Sequence, residues 1–317
     1  MMDDYTGYLK KSSRDAYGMA FYEQAKRDER IVAVTADVPD SVRFTKFRES
    51  WPERFFNFGI AEQNMMGAAA GLAREGKIPF VSVYAIFAAL RALEQLRTDI
   101  AYPNLPVRIC TTHSGISLGQ AGPSHHSTED ISIMRSISNM VVIAPADGLA
   151  TAMAMHAIKD YDGPVYMRLS RAVEPTVYSS IGTYQLGKAN LVRAGKDIAL
   201  MAYGASVGNA LIAAEALAKD GIEAQVVDMA FIKPIDRAVI IEAANLTRPI
   251  LTIEEQNIIG GLGSAVAEVL AEENIATKFK RLGIPDQYTL AGPYEDLQRY
   301  YKLDPEGIAD EARKLIE

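Results

Sequence analysis

Cysteine is almost missing from this chain: Cys110 stands alone. That excludes a disulfide framework and a cysteine-based metal site. The thiol lies in the apolar run LPVRICTT, which reads as a buried strand, so a core role is expected for it. Excess positive charge is missing too. There are 33 Lys and Arg against 40 Asp and Glu, with no basic block, so a nucleic-acid or anionic-membrane surface is not expected. A small anionic ligand remains compatible, because a local basic pocket can sit within an acidic protein. Long apolar runs are missing: none approaches the roughly 20 residues that cross a bilayer. The first residues, MMDDYTGYLKKSSRD, are polar and lack the apolar core of a signal peptide, which points to a cytoplasmic protein. Neither a GxxxxGK(S/T) phosphate loop nor a GxSxG nucleophile elbow occurs.

What is present is an alternation of short apolar runs and helical stretches. Ser12 or Ser13 is placed to cap a helix running to about Arg27. Strands are predicted at IVAVT (31–35), PFVSVY (79–84), VRICTT (107–112), MVVIAP (140–145) and VYMRLS (165–170). Helices are predicted between them at 61–73, 87–100 and 147–160, the last with Asp147 as its cap. Residues 171–192 carry Pro, Gly, Ser and Tyr without helical period, the texture of a linker. Alternation then resumes, with strands at 197–204, 223–229, 249–255 and 277–283, a helix over 206–219, and a turn feeding a helix within 260–272. The expectation is an α/β protein of two domains, each a mostly parallel sheet flanked by helices, divided near 180–190. In such sheets ligands gather beyond the carboxyl ends of the strands.

Several residues could carry chemistry. Glu62 opens the Ala- and Gly-rich helix that follows FFNFGI. It is either a carboxylate answering the helix dipole or a functional acid beside close-packed small residues. The loop THSGISLGQAGPSHHSTED (112–130) holds His113, His125 and His126 together with Gly115, Gly119, Gly122 and Pro123, directly after a strand. Such loops carry function. A metal there lacks an acidic or Cys partner at ligand spacing. His156, within AMAMHAIKD, reads as a helix-packing residue. GGLGSA (260–265) misses the GxGxxG pattern and reads as a close backbone contact or helix start, with EEQN (254–257) before it as a strand-end loop. Arg14, Arg91, Arg97 and Arg171 could each hold an anion or form a surface ion pair.

Taken in order, FGIAEQNMMGAAAGLA, PFVSVYAIF, THSGISLGQAGPSHHSTEDI, PADG (145–148) and EEQNIIGGLGSAVAEVL resemble the transketolase family of thiamine-diphosphate enzymes over nearly the whole chain. The resemblance implies a pyrimidine-binding domain at 1–178, a linker at 179–192 and a transketolase C-terminal domain at 193–317. The family's GDG motif, which serves Mg²⁺ and the diphosphate, does not occur here. The chain therefore looks like the C-terminal subunit of a split transketolase. The implied partner is a separate diphosphate-binding subunit, in an α2β2 heterotetramer with self-association of this chain.

By the same resemblance, Glu62 is the acid that hydrogen-bonds N1′ of the cofactor's aminopyrimidine. A carboxyl suits that contact because it can share a proton with a ring nitrogen in a dry pocket. Phe87 matches the aromatic stacked on the pyrimidine, Tyr84 a second aromatic of that pocket, and Asp37 a cofactor-pocket acid. Arg14, Ser41, His113 and Arg171 match a clamp for the sugar phosphate, with charge-assisted donors, a hydroxyl and an imidazole. His125 matches a residue contacting substrate hydroxyls. One position departs: Ala121 stands where transketolases usually carry an Asp for the donor's C2 hydroxyl, so the preference at C2 is not the usual one. The implied reaction moves a two-carbon ketol unit between phosphosugars. Competing readings are a 2-oxoacid dehydrogenase β subunit, a 1-deoxyxylulose-5-phosphate synthase-like enzyme, and a non-catalytic scaffold subunit.

Overall fold

The computed structural model describes residues 6–180, 182–247 and 249–317. The first half contains strands β1 (Ile31–Thr35), β2 (Phe55–Asn57), β3 (Ile78–Ser82), β4 (Arg108–Thr111), β5 (Val141–Ile143) and β6 (Val165–Arg168). Its helices are α1 (Ser13–Ala25), α2 (Thr45–Ser50), α3 (Glu62–Arg74), α4 (Leu93–Gln95), α5 (Asp130–Ser136) and α6 (Gly148–Ile158). The second half contains β7 (Asn190–Arg193), β8 (Ile198–Ala202), β9 (Ala224–Asp228), β10 (Phe231–Lys233), β11 (Ile250–Asn257) and β12 (Phe279–Ile284). Its helices are α7 (Ala205–Lys219), α8 (Arg237–Thr247), α9 (Leu262–Glu272), α10 (Tyr294–Tyr300) and α11 (Pro305–Ile316). No helix among the described residues is long and apolar enough to cross a membrane.

Two sheets result. One has the order β10-β5-β6-β4-β3-β1-β2, the other β12-β11-β8-β9-β7. Both are parallel except at one edge, where β10 and β7 run antiparallel to their neighbours. The α/β architecture is the expected one. Buried apolar strands explain it: every residue of β1, β4, β5, β6, β8 and β9 is buried, as a sheet covered on both faces requires. Cys110 is a buried member of that core. Strand β10 lies after the linker in sequence yet joins the first sheet, so the two halves share hydrogen bonds.

Local signals set the helix starts. Ser12 caps α1 by accepting from the Asp15 amide at 3.1 Å. Asp147 caps α6 through Oδ1, at 2.7 Å from the Ala150 amide. Its Oδ2 accepts from the amides of Val177 and Tyr178, so one carboxylate also pins the segment leaving the first sheet.

Three expectations need correction. EEQN is not a strand-end loop: all four residues lie in β11. The polar run is tolerated because Glu254 turns its carboxylate onto the Leu262 and Gly263 amides at 2.8 and 2.9 Å, capping α9. A Cβ at Gly261 would fall 2.1 Å from that carboxylate, which is why glycine stands there. His156 is exposed rather than packed within α6. The stretch predicted as one helix over 87–100 is broken: Phe87–Arg91 and Leu96–Ala101 are π-helical, with short α4 between them. π-Helical turns gather at functional sites.

Candidate active site

The strands that matter end level. Thr35 of β1 pairs with Ser82 of β3, and Thr111 of β4 pairs with Arg168 of β6. A further parallel bridge joins Tyr84 to Thr112. The loops beyond these ends carry Asp37, Tyr84, His113 and Arg171, the predicted place for a site in a parallel sheet. Two of the four sit in the left-handed backbone region, Asp37 at φ 60° and His113 at φ 59°. Non-glycine residues rarely adopt it, and it recurs at functional positions.

A ring cluster forms the middle of the site. Tyr84 stacks near Phe87, with centroids 6.0 Å apart and planes 19° apart. The His113 ring lies 4.1 Å from Tyr84, and the His125 ring 5.4 Å from Phe87. The Tyr84 hydroxyl donates to Ser41 Oγ at 3.2 Å. Residues from three separate segments thus meet on one wall.

The cationic end is assembled by α1 and the end of β6. Ser13 Oγ accepts from the Ser170 amide at 2.9 Å, and the Ser13 amide donates to Glu174 at 3.0 Å. These bonds bring the next residues, Arg14 and Arg171, close enough that Arg171 helps to lower the Arg14 pKa, after burial and Arg43. Arg14 Nε is buried and has no hydrogen-bond partner. His113 is pushed down to about 3, by burial first and then by Arg14, Arg171, Arg43 and His125. Its imidazole is therefore neutral at neutral pH.

Glu62 opens α3 and is 2% exposed. Oε1 accepts from Arg91 Nη1 at 2.6 Å. Oε2 is buried without a partner. Leaving such an atom unpaired costs about 1–3 kcal/mol. The guanidinium of Arg91 also lies 4.1 Å from the centre of the Phe87 ring, which ties Glu62 to the ring wall. A cofactor that offers a ring nitrogen to Oε2 and a flat face to Phe87 suits this arrangement.

Of the predicted residues, Arg14, Ser41, Tyr84, Phe87, His113, His125 and Arg171 are gathered here, and Glu62 is joined through Arg91. Asp37 is exposed and exchanges hydrogen bonds with Asn57. Ala121 is exposed in a short 3-10 turn of the glycine loop. His126 belongs to the scaffold: its ring nitrogens bond Thr289 Oγ1 at 2.7 Å and the Gly119 carbonyl at 2.9 Å. Arg97 pairs with Glu94 on the surface. A cavity of about 510 Å³, lined by Phe80, Met153 and His156, opens at the amino ends of β1 and β3, and none of the candidate residues lines it. Sequence reading missed Arg43, whose partner Asp15 lies on α1. No local pattern marks that pair.

Residues 10–175 match the transketolase pyrimidine-binding domain, and residues 187–308 match the transketolase C-terminal domain. The chain belongs to the transketolase family. A Methanocaldococcus jannaschii protein described as a putative transketolase C-terminal section is 44% identical over 301 residues, covering 94% of each chain. One of the subunits of the apulose-4-phosphate transketolase of Phocaeicola vulgatus is 38% identical over 304 residues, covering 96% of this chain and 97% of that one. A solved structure described as a split gene transketolase, inactive beta4 tetramer, superposes with a TM-score of 0.89 at 42% identity, covering 96% of this chain and 98% of that one. The similarity thus runs along whole C-terminal sections of split transketolases.

Proposed function

We propose that this chain is the pyrimidine-binding subunit of a thiamine-diphosphate-dependent transketolase that moves a two-carbon ketol unit between phosphosugars. The carrying observation is Glu62: a buried carboxyl with one oxygen held by Arg91 and the other unpartnered, at a helix start beside Phe87. When bound, thiamine diphosphate supplies the nucleophilic carbon and the electron sink that the side chains lack. Glu62 Oε2 holds or shares a proton with the aminopyrimidine. Phe87 and Tyr84 offer the apolar wall, and Asp37 lines the entrance. At the far end Arg14, Ser41, His113 and Arg171 hold the sugar phosphate, while His125 contacts hydroxyls near the reacting carbons. Ala121 offers no acceptor to a C2 hydroxyl, so donor choice rests on other contacts.

The diphosphate and Mg²⁺ belong to a separate N-terminal subunit in this reading, in an α2β2 assembly with the active site between the two kinds of chain, in the cytoplasm. Residues 1–178 are the pyrimidine-binding domain, 179–192 the linker and 193–317 the C-terminal domain. The test is co-expression with a diphosphate-domain chain and a ketol-transfer assay over a panel of ketose phosphates, with thiamine diphosphate and Mg²⁺. Transfer is expected with both chains present, absent with this chain alone, and lost in Glu62→Ala. Decarboxylation of a 2-oxoacid in place of ketol transfer would overturn the proposal.

A further inference from the structure

Two residues beyond Ser41, Arg43 reaches back to α1. Its backbone is left-handed, at φ 66°. A Cβ at Gly18 of α1 would fall 2.4 Å from Arg43 Cβ, so the helix leaves room for this residue. Arg43 Nε donates to Asp15 Oδ1 at 2.5 Å and Nη1 to the Asp40 carbonyl at 3.3 Å. The same Asp15 oxygen lies 3.7 Å from Arg14 Nε, so one carboxylate stands against both guanidinium groups. The field of Arg43 is second only to burial in lowering Arg14, and it reaches His113 as well.

Three arginines therefore act on the anion end, where the clamp alone would have two: Arg14 and Arg171 directly, and Arg43 through Asp15 and its field on Arg14 and His113. His113 adds no charge. Burial opposes ionisation of Asp15, but the Arg43 bond wins and holds its carboxyl below the ordinary value, so it stays charged. Three cations against one carboxylate leave two positive charges. A phosphate monoester carries about 1.5 to 2 negative charges at neutral pH. A sulfonate or carboxylate carries one.

We infer that Arg43 is a specificity-determining residue that, balanced by Asp15, matches the anion end to a doubly charged phosphate monoester over a singly charged group. The inference rests on Arg14, Ser41, His113 and Arg171 being the sugar-phosphate clamp. All these residues lie in this chain, so the purified full chain suffices for the test. Methyl phosphate and methanesulfonate, close in shape and different in charge, are titrated by NMR at low salt and about pH 7.5. Wild type is expected to bind methyl phosphate at least about tenfold tighter. Arg43→Gln keeps the stem against Gly18 and is expected to erase that preference, while Arg43→Lys retains most of it. Arg14→Gln is expected to weaken both ligands. If Arg14→Gln weakens both but Arg43→Gln leaves the preference intact, the inference is wrong and the clamp stands. If wild type binds neither, or Arg14→Gln changes nothing, the clamp reading fails and the inference with it.

Discussion

Arg91 holds one oxygen of Glu62 at 2.6 Å while its guanidinium lies 4.1 Å from the centre of the Phe87 ring. One exposed-edge cation thus fixes both the buried acid and the aromatic wall proposed to meet the aminopyrimidine. The π-helical turn from Phe87 to Arg91 makes this reach, because its extra residue per turn changes which residues share a face with Phe87.

Replacing that cation should loosen the acid. In Arg91→Ala, Glu62 loses its charge-assisted bond, worth about 1.5–3 kcal/mol before discounting for the half-exposed partner. The thiamine diphosphate Kd of the assembled enzyme is expected to rise about tenfold, read from cofactor-induced quenching of protein fluorescence. Arg91→Lys should lie between, since a compact ammonium stacks poorly on a ring. Unchanged affinity in both variants would remove Arg91 from the positioning role.

His113 should titrate far below its ordinary value. The folded value is about 3 against 6.5 for the free group. The unfolded chain therefore takes a proton that the folded chain refuses. That contribution to stability is complete above about pH 6.5 and is lost as pH falls toward 3. The Cε1 proton resonance of His113 should stay flat from about pH 8 to pH 4. In Arg14→Gln the titration should move upward, because one opposing cation has gone. A resonance that titrates near 6.5 in wild type would contradict the described geometry.

Glu174 carries the opposite sign. Burial pushes it up to about 8, against the Ser13 bonds that lower it, and its Oε1 has no partner. A raised folded value gives stability that is present below about pH 4.5 and lost as pH rises through 8. Asp228, pushed up to about 7 by burial despite the Tyr184 and Tyr178 hydroxyls, adds to the same trend. Glu174→Gln should therefore gain stability relative to wild type at about pH 8.5, on the order of 1–3 kcal/mol, and much less at about pH 5. Urea unfolding at both pH values measures it, and an equal shift at both would refute the assignment.

Much of this was legible because it is local. Apolar runs located the strands, and the Ser12–Ser13 pair and Asp147 announced their helices, since a cap acts within four residues. Glu62 was legible as a helix-start acid, and the glycine loop as a place for function. What failed depends on distant partners. Glu254 and Glu255 look like loop residues until α9 supplies amides for one and Tyr294 with Gln298 binds the other. His156 lies among buried alanines and methionines, yet the angular position on α6 turns it outward. The extra residue of a π-turn shows only in the bonding pattern. Arg43 gains its meaning from Asp15, 28 positions earlier.

The crossing of β10 has a bearing on how the chain can be taken apart. Cutting the segment near 180–190 would nick the backbone without freeing two bodies, since Phe231 and Lys233 remain laced to Ile143 and Val142. A fragment ending in that segment would expose the unpaired edge of β5, a template for foreign strands. The pairing of β10 with β5 therefore ties the two sheets together even where the connecting backbone is cut.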